Sequence, residues 1–290
     1  MLDTKEIIKK VKKIEISTKL LADGVISGSY LSVFKGQGLE FSEIRDYREG
    51  DDVRAIDWKV TARFNKPFVK EFIEERDLRV YFAFDYSASG FFGNVVEKRR
   101  KSIEMTATLM FSALRNNDNV GLFIFTESVE RFFPARKGRK HVLKLISNLV
   151  NHTPQSKKTD LNNSLRHIAN VLKKRSILFI ISDFYSADFQ KPLSALKTKH
   201  DVVALRVIDP REKAFPDVGL IMLEDEETGE QVLVESSDER FRKRFAEVMA
   251  EEERRLERLF RRYKVDAINI FSDESFELPL RKFFKVRQKR

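Results

Sequence analysis

The stretch Phe84-Asp85-Tyr86-Ser87-Ala88-Ser89 sets one carboxylate and two hydroxyls at alternate positions. In extended or turning backbone alternate residues project the same way, so Asp85, Ser87 and Ser89 can converge on one point. One anionic oxygen group with two neutral ones suits a hard cation such as Mg²⁺, with Mn²⁺ or Ca²⁺ as alternatives. Three ligands do not make a site, and two further junctions supply candidates. A strand expected over 176–182 ends on Asp183, and Thr159 with Asp160 stands just before a helical pattern that begins near Leu161. Asp85, Ser87, Ser89, Thr159 and Asp183 thus come from three strand-to-helix junctions, where α/β proteins hold their ligands. Helix capping competes for part of this set: Asp160 is a natural N-cap, and Thr159 can form a turn as readily as hold a metal.

The elements that would position these residues follow from periodicity. From residue 78 onward short β-rich apolar runs alternate with longer helical patterns, the signature of an α/β fold with a mostly parallel central sheet covered by helices. Strands are predicted at 78–84, 119–126, 176–182, 202–208 and 266–271, with Val129 to Pro134 close enough to its predecessor to form an antiparallel hairpin edge. Helices are predicted near 97–116, 160–174 and 238–263, each with apolar residues at helical spacing. Residues 219–235 read as a hairpin turned at Thr228 and Gly229. The chain before residue 78 reads as a Lys-rich amphipathic helix, a Gly/Ser-containing stretch, and a polar, charged segment with few helical cues. The expected division is therefore 1–77 and 78–290.

Composition narrows the classes. The 290 residues include 25 Phe and are 42% hydrophobic, enough for a substantial core, and the absence of Cys removes disulfides, thiolate metal sites and a cysteine nucleophile. No stretch approaches the uncharged apolar length of a membrane span, so a soluble, cytoplasmic chain is expected. The net charge of +10 is spread over a surface with both signs interleaved, and only the tail from Arg281 to Arg290 is a concentrated basic run.

The motifs Asp85-Tyr86-Ser87-Ala88-Ser89, Lys158-Thr159-Asp160-Leu161 and Ile180-Ile181-Ser182-Asp183 resemble the metal-ion-dependent adhesion site of von Willebrand factor A-like domains, over about residues 78–272. The resemblance implies that Ser87, Ser89 and Thr159 ligate a divalent ion directly, with Asp85 and Asp183 bound alongside or through water. It also implies one open position for a Glu or Asp carboxylate on a partner.

The segment 36–76 resembles the signature of the domain-of-unknown-function family number 58, which precedes such a domain in prokaryotic proteins. Glu40, Phe41, Arg45, Tyr47, Gly50, Asp51, Asp52, Arg54, Asp57, Trp58, Ala62 and Arg63 stand where that motif has them. The resemblance implies a link to MoxR-type AAA+ ATPases, chaperone-like factors in the assembly of other proteins, and hence a client protein with an exposed Glu or Asp. Two roles suit the dense Arg and Asp residues of this segment. One is an ion-pair lattice fastening an extended segment to the domain. The other is a partner-binding face built on Arg45, Arg48, Arg54, Trp58 and Arg63. Gly50 marks a turn.

Rival functions are weaker. No G-x-x-x-x-G-K-[ST] loop occurs, so nucleotide hydrolysis would belong to a partner. A Mg²⁺-dependent phosphatase or phosphotransferase could use Asp85 as nucleophile, although Ser87 stands where haloacid-dehalogenase-like phosphatases place a second Asp. None of the four His residues falls at an expected strand end. Nucleic-acid binding ranks third, for want of a recognisable module. The expected function is a non-catalytic, metal-dependent protein-interaction module.

Overall fold

The computed structural model describes residues 38–64, 66–75, 78–87, 95–186, 188–224 and 231–287. Ser89, the Lys-rich N-terminal helix and the turn at Thr228 and Gly229 lie outside them. The described residues form two compact units, divided between Leu78 and Arg79.

The smaller unit is built from β1 (Gly38–Asp46), a 3-10 turn at Val53–Ala55, α1 (Trp58–Phe64) and β2 (Phe68–Glu75), with β1 and β2 antiparallel. Its carboxylates cap short elements. Asp52 accepts from the Arg54 N–H at 2.9 Å, and Asp57 Oδ1 accepts from Lys59 N at 2.9 Å and Val60 N at 3.3 Å. The turn between β1 and the 3-10 segment needs Gly50, whose φ is +105°. The segment expected to be extended, with few helical cues, therefore contains a helix and a strand pair. Its pairing joins residues some thirty positions apart, Asp46 with Phe68 being the innermost pair and Gly38 with Glu75 the outermost.

The larger unit runs β3 (Arg79–Asp85), α2 (Val95–Arg115), β4 (Asn119–Phe125), β5 (Val129–Arg136), α3 (Arg139–Val150), α4 (Leu161–Val171), β6 (Ile177–Ile181), α5 (Gln190–Lys199), β7 (Asp201–Ile208), β8 (Leu220–Glu224), β9 (Gln231–Glu235), α6 (Glu239–Arg262), β10 (Asp266–Phe271) and α7 (Glu277–Arg287). Six strands form one sheet in the order β10-β7-β6-β3-β4-β5, parallel except for β5. The α/β class, the strands and the antiparallel edge agree with expectation. Helices α3, α5 and α7 are additions to it.

The four inner strands β3, β4, β6 and β7 are buried on both faces, which is why they read as nearly continuous apolar runs. On one face Tyr81, Ala83, Phe123, Phe125, Leu178 and Ile180 pack with Leu165 and Ile168 of α4, Leu193 of α5, and Leu256 and Phe260 of α6. The alternate residues Val80, Phe82, Phe84, Leu122, Ile124 and Phe179 are equally buried, and α2 and α3 pack against that side. Full burial of each such side chain contributes about 1.5–3 kcal/mol. β8 and β9 form a separate two-stranded ribbon. No helix among the described residues is long and apolar enough to cross a membrane.

Candidate metal centre

Parallel pairing sets the site. β3 lies between β4 and β6, with Phe84 opposite Ile181 and Asp85 opposite Phe125. The residues that follow Ile181 therefore emerge beside Asp85 at the carboxyl edge of the sheet, the ligand-binding edge of open α/β sheets. Ser182 Oγ donates to Asp85 Oδ2 at 2.7 Å. Ser87 donates to Asp85 Oδ1 twice, from its hydroxyl at 2.6 Å and its N–H at 3.0 Å. Asp183 is buried; its Oδ1 accepts from Tyr185 N at 3.0 Å, while its Oδ2 is buried without a hydrogen-bond partner among the described residues. Arg206, also buried, fixes this turn by donating from Nε to the Asp183 carbonyl at 3.2 Å and from Nη1 to Glu253 at 2.8 Å.

Asp85, Ser87, Ser182 and Asp183 line a cavity of about 30 Å³ with Lys98, Arg99 and Ser102 of α2, room for a water-sized species. Loss of hydration pushes the Asp85 carboxyl up to about 7, and the nearby Asp183 charge adds to this against the opposing Ser87 and Ser182 hydrogen bonds. A carboxyl whose ionisation is opposed by a neighbouring carboxylate, and a buried carboxylate oxygen with no donor among the described residues, are both relieved by one cation. The two cationic side chains at the cavity are engaged elsewhere. Lys98 Nζ pairs with buried Glu212, and the Arg99 guanidinium lies 4.8 Å from the centre of the Tyr86 ring. The donor set, two carboxylates and hydroxyls, fits a hard divalent ion. Among the described residues no group of three or more His, Cys, Asp and Glu side chains is placed to hold a metal, so a metal here would depend on hydroxyl ligands.

Of the five expected ligands, Asp85, Ser87 and Asp183 thus line one cavity. Thr159 is half-buried in the loop before α4 and is not among the lining residues. That loop sits at the carboxyl end of β4: Asp160 N meets the Thr126 carbonyl at 3.4 Å, and Asp160 caps α4 by accepting from Asn163 N at 2.9 Å. Glu130 of β5 holds the same loop. It accepts from Thr126 Oγ1 at 2.6 Å and Gln155 N at 3.0 Å, and pairs with His152 Nε2 at 2.7 Å.

A family model described as "Protein of unknown function DUF58" matches residues 43–279. The chain belongs to the DUF58 family. Rv1480 of Mycobacterium tuberculosis is 34% identical over 233 residues, 79% of this chain and 73% of that protein. YeaD of Bacillus subtilis is 29% identical over 109 residues, 38% of this chain and 25% of that protein. Among solved structures, BatB from Bacteroides thetaiotaomicron has a TM-score of 0.46 at 14% identity, covering 73% of this chain and 100% of its own. A von Willebrand factor type A structure from Catenulispora acidiphila has a TM-score of 0.36 at 11% identity, covering 49% and 35%.

The DUF58 match covers most of the smaller unit, where the expected partner residues separate into two kinds. Arg45 is half-buried and bidentate to Asp51, at 2.7 and 2.9 Å, and Arg48 N adds a bond to Asp51 at 2.8 Å. Arg45 therefore shapes the turn. Arg48, Arg54 and Arg63 are exposed, and Trp58 is 69% exposed. The expected ion-pair lattice is replaced in part by caps, since Asp52 and Asp57 hold backbone N–H groups.

Ser182, Lys98 and Ser102 escaped the sequence reading of this DUF58 chain. Ser182 carried a signal, since it directly precedes the strand-end Asp183, but its role appears only once β6 is known to lie beside β3. Lys98 and Ser102 stand one helical turn apart on α2, a spacing that puts both on one face.

Proposed function

We propose that this DUF58 chain is a divalent-metal-dependent protein-interaction module that performs no catalysis. In this reading Asp85, Ser87 and Asp183 hold a Mg²⁺ or similar ion, and Ser89 and Thr159 complete the set that the adhesion-site resemblance implies. The ion offers one position to a Glu or Asp carboxylate of a partner. The observation that carries the reading is the orphaned Oδ2 of buried Asp183 at a cavity shared with Asp85 and Ser87. A bound divalent ion would supply positive charge for the two carboxylates and an electrophilic position for the partner.

The partner in this proposal is a MoxR-type AAA+ ATPase, for which the chain acts in the cytoplasm as adaptor or co-chaperone toward a client protein. The exposed Trp58, Arg54 and Arg63 support a protein-binding role. A phosphotransferase mechanism is disfavoured because both Asp85 oxygens accept hydroxyl hydrogen bonds, from Ser87 and Ser182, which tie up the lone pairs a nucleophile would use. The basic charge that suggested nucleic acid is interleaved with acids.

Calorimetric titration of the full chain with Mn²⁺ and Mg²⁺ tests the site. Binding is expected in the wild type and is expected to be lost in Asp183→Asn and in Ser87→Ala. Capture of the ATPase is expected to weaken in EDTA and in the same variants. Absence of any metal binding, or equal capture under every condition, would overturn the reading.

A further inference from the structure

Lys98 and Glu212 form an ion pair at the margin of the metal cavity. Both side chains are 5% exposed, and Lys98 Nζ stands 2.5 Å from Glu212 Oε1. A buried ion pair is a weak source of stability, because desolvating both charges offsets their attraction. Its place in the fold points to another use. Lys98, on α2, lines the cavity with Asp85, Ser87 and Asp183. Glu212 stands outside that lining, at the end of a 3-10 turn, Pro210–Glu212, that follows β7.

The fold sets Glu212 in place. Asp209 caps the 3-10 turn by accepting from Arg211 N at 2.9 Å, and its own N–H donates to Glu212 Oε1 at 3.3 Å, so a capping box fixes the oxygen that meets Lys98. Lys98 instead ends a flexible four-carbon stem. Two acids compete for its ammonium. Asp183 lines the same cavity as Lys98 and has a buried Oδ2 with no hydrogen-bond partner among the described residues. The cavity, at about 30 Å³, holds one water-sized group, and an ammonium is such a group. Burial raises the Glu212 carboxyl above its usual range, the Lys98 charge opposes this and the Asp183 charge adds to it, which sets the two acids within electrostatic range of each other.

We propose that Glu212 is a positioning residue for the metal centre: it holds the Lys98 ammonium out of the cavity and so keeps the cavity open to a divalent ion. This role rests on the metal-binding reading of Asp85, Ser87 and Asp183. Without the Glu212 charge, the Lys98 ammonium turns to Asp183 Oδ2, and the chain's own cation meets the demand that a divalent ion would meet. The site is then filled from within. A pair that only joined α2 to the turn after β7 would have no such effect on the ion.

Calorimetric titration of the full chain with Mn²⁺ tests this. Glu212→Gln should weaken binding about 10–100-fold, since the ion must displace the ammonium. Lys98→Met should bind at least as tightly as the wild type. Glu212→Gln combined with Lys98→Met should return to wild-type affinity, a rescue that a merely structural pair cannot give, because removing its second member does not mend the loss of the first. Crystals of Glu212→Gln grown in EDTA should show Lys98 Nζ on Asp183 Oδ2. Should Glu212→Gln fail to fold by circular dichroism, Glu212→Asp, which keeps the charge but withdraws it by one methylene, takes its place, with a smaller loss and the same rescue by Lys98→Met. A wild type that takes up no Mn²⁺ overturns the metal reading and this role with it. A wild type that binds, beside a residue-212 variant that binds equally well, a double variant as weak as the single one, or a Lys98→Met variant weaker than the wild type, overturns the role of Glu212 alone.

Discussion

The Ser182 hydroxyl donates to Asp85 Oδ2 at 2.7 Å across the junction of two parallel strands. With Ser87 on the other oxygen, the carboxylate plane is fixed from both sides. Groups that orient a metal ligand in this way typically change affinity by about 10–100-fold when removed. Ser182→Ala is therefore expected to weaken Mn²⁺ binding about tenfold, read by calorimetry, with the circular dichroism spectrum unchanged. Undiminished affinity would show that the hydroxyl has no positioning role.

Glu130 anchors the loop that carries Thr159. Burial alone would raise its pKa, but hydrogen bonds from Thr126, Gln155 and His152 outweigh that and hold the carboxyl below the usual range. Glu130→Gln should cost about 1–3 kcal/mol and speed amide exchange at Gln155. Because the folded pKa lies below the unfolded one, the stabilisation is complete above about pH 4.3 and fades as pH falls below it. Exchange at Gln155 as slow as in the wild type would remove the loop-anchoring role.

Gly121 lies in the middle of β4 beneath an aromatic ring. A Cβ there would stand 2.4 Å from Tyr81 Cε1 and 3.0 Å from the Ala135 nitrogen. Tyr81 cannot swing aside freely, because its ring is 5.6 Å from Phe123 and 6.4 Å from Phe132, centroid to centroid. Gly121→Ala is expected to lower stability by about 1–3 kcal/mol through overpacking. The check is a lower urea midpoint with an unchanged slope.

In the smaller unit, the Arg45 hydrogen bonds, with the Arg48 N–H, hold Asp51 at about 2. Carbon-detected NMR of the Asp51 carboxyl should show a midpoint near that value, and Arg45→Leu should return it toward about 3.9, the ordinary Asp range. The stabilisation from this pair is complete above that ordinary range and disappears as pH falls through about 2. An unshifted midpoint in Arg45→Leu would assign the shift to other groups.

The central sheet was legible because strands covered on both faces leave uninterrupted apolar runs, as from Ile177 to Ile181. Asp85, Ser87 and Asp183 were legible because polar residues at the ends of such runs stand out. Helices α3 and α5 were not: their N-cap positions, Gly138 and Phe189, give no side-chain cap, and Pro192, accommodated in the first turn of α5, reads in sequence as a helix breaker. The β1–β2 pair joins strands separated by a turn, a 3-10 segment and a helix, and no local signal announces a pairing over that distance. Ser182 was hidden for a related reason, since its partner lies ninety-seven positions earlier.

Side chains alternate along a strand, so sliding β6 by a single residue along β3 would turn Ser182 away from Asp85. The oxygen-lined pocket therefore exists in one alignment only, the one that sets Phe84 opposite Ile181. Any cation taken up there proofreads the fold: a sheet zipped out of step offers it no berth, and the ion's binding energy accrues only to correctly paired chains.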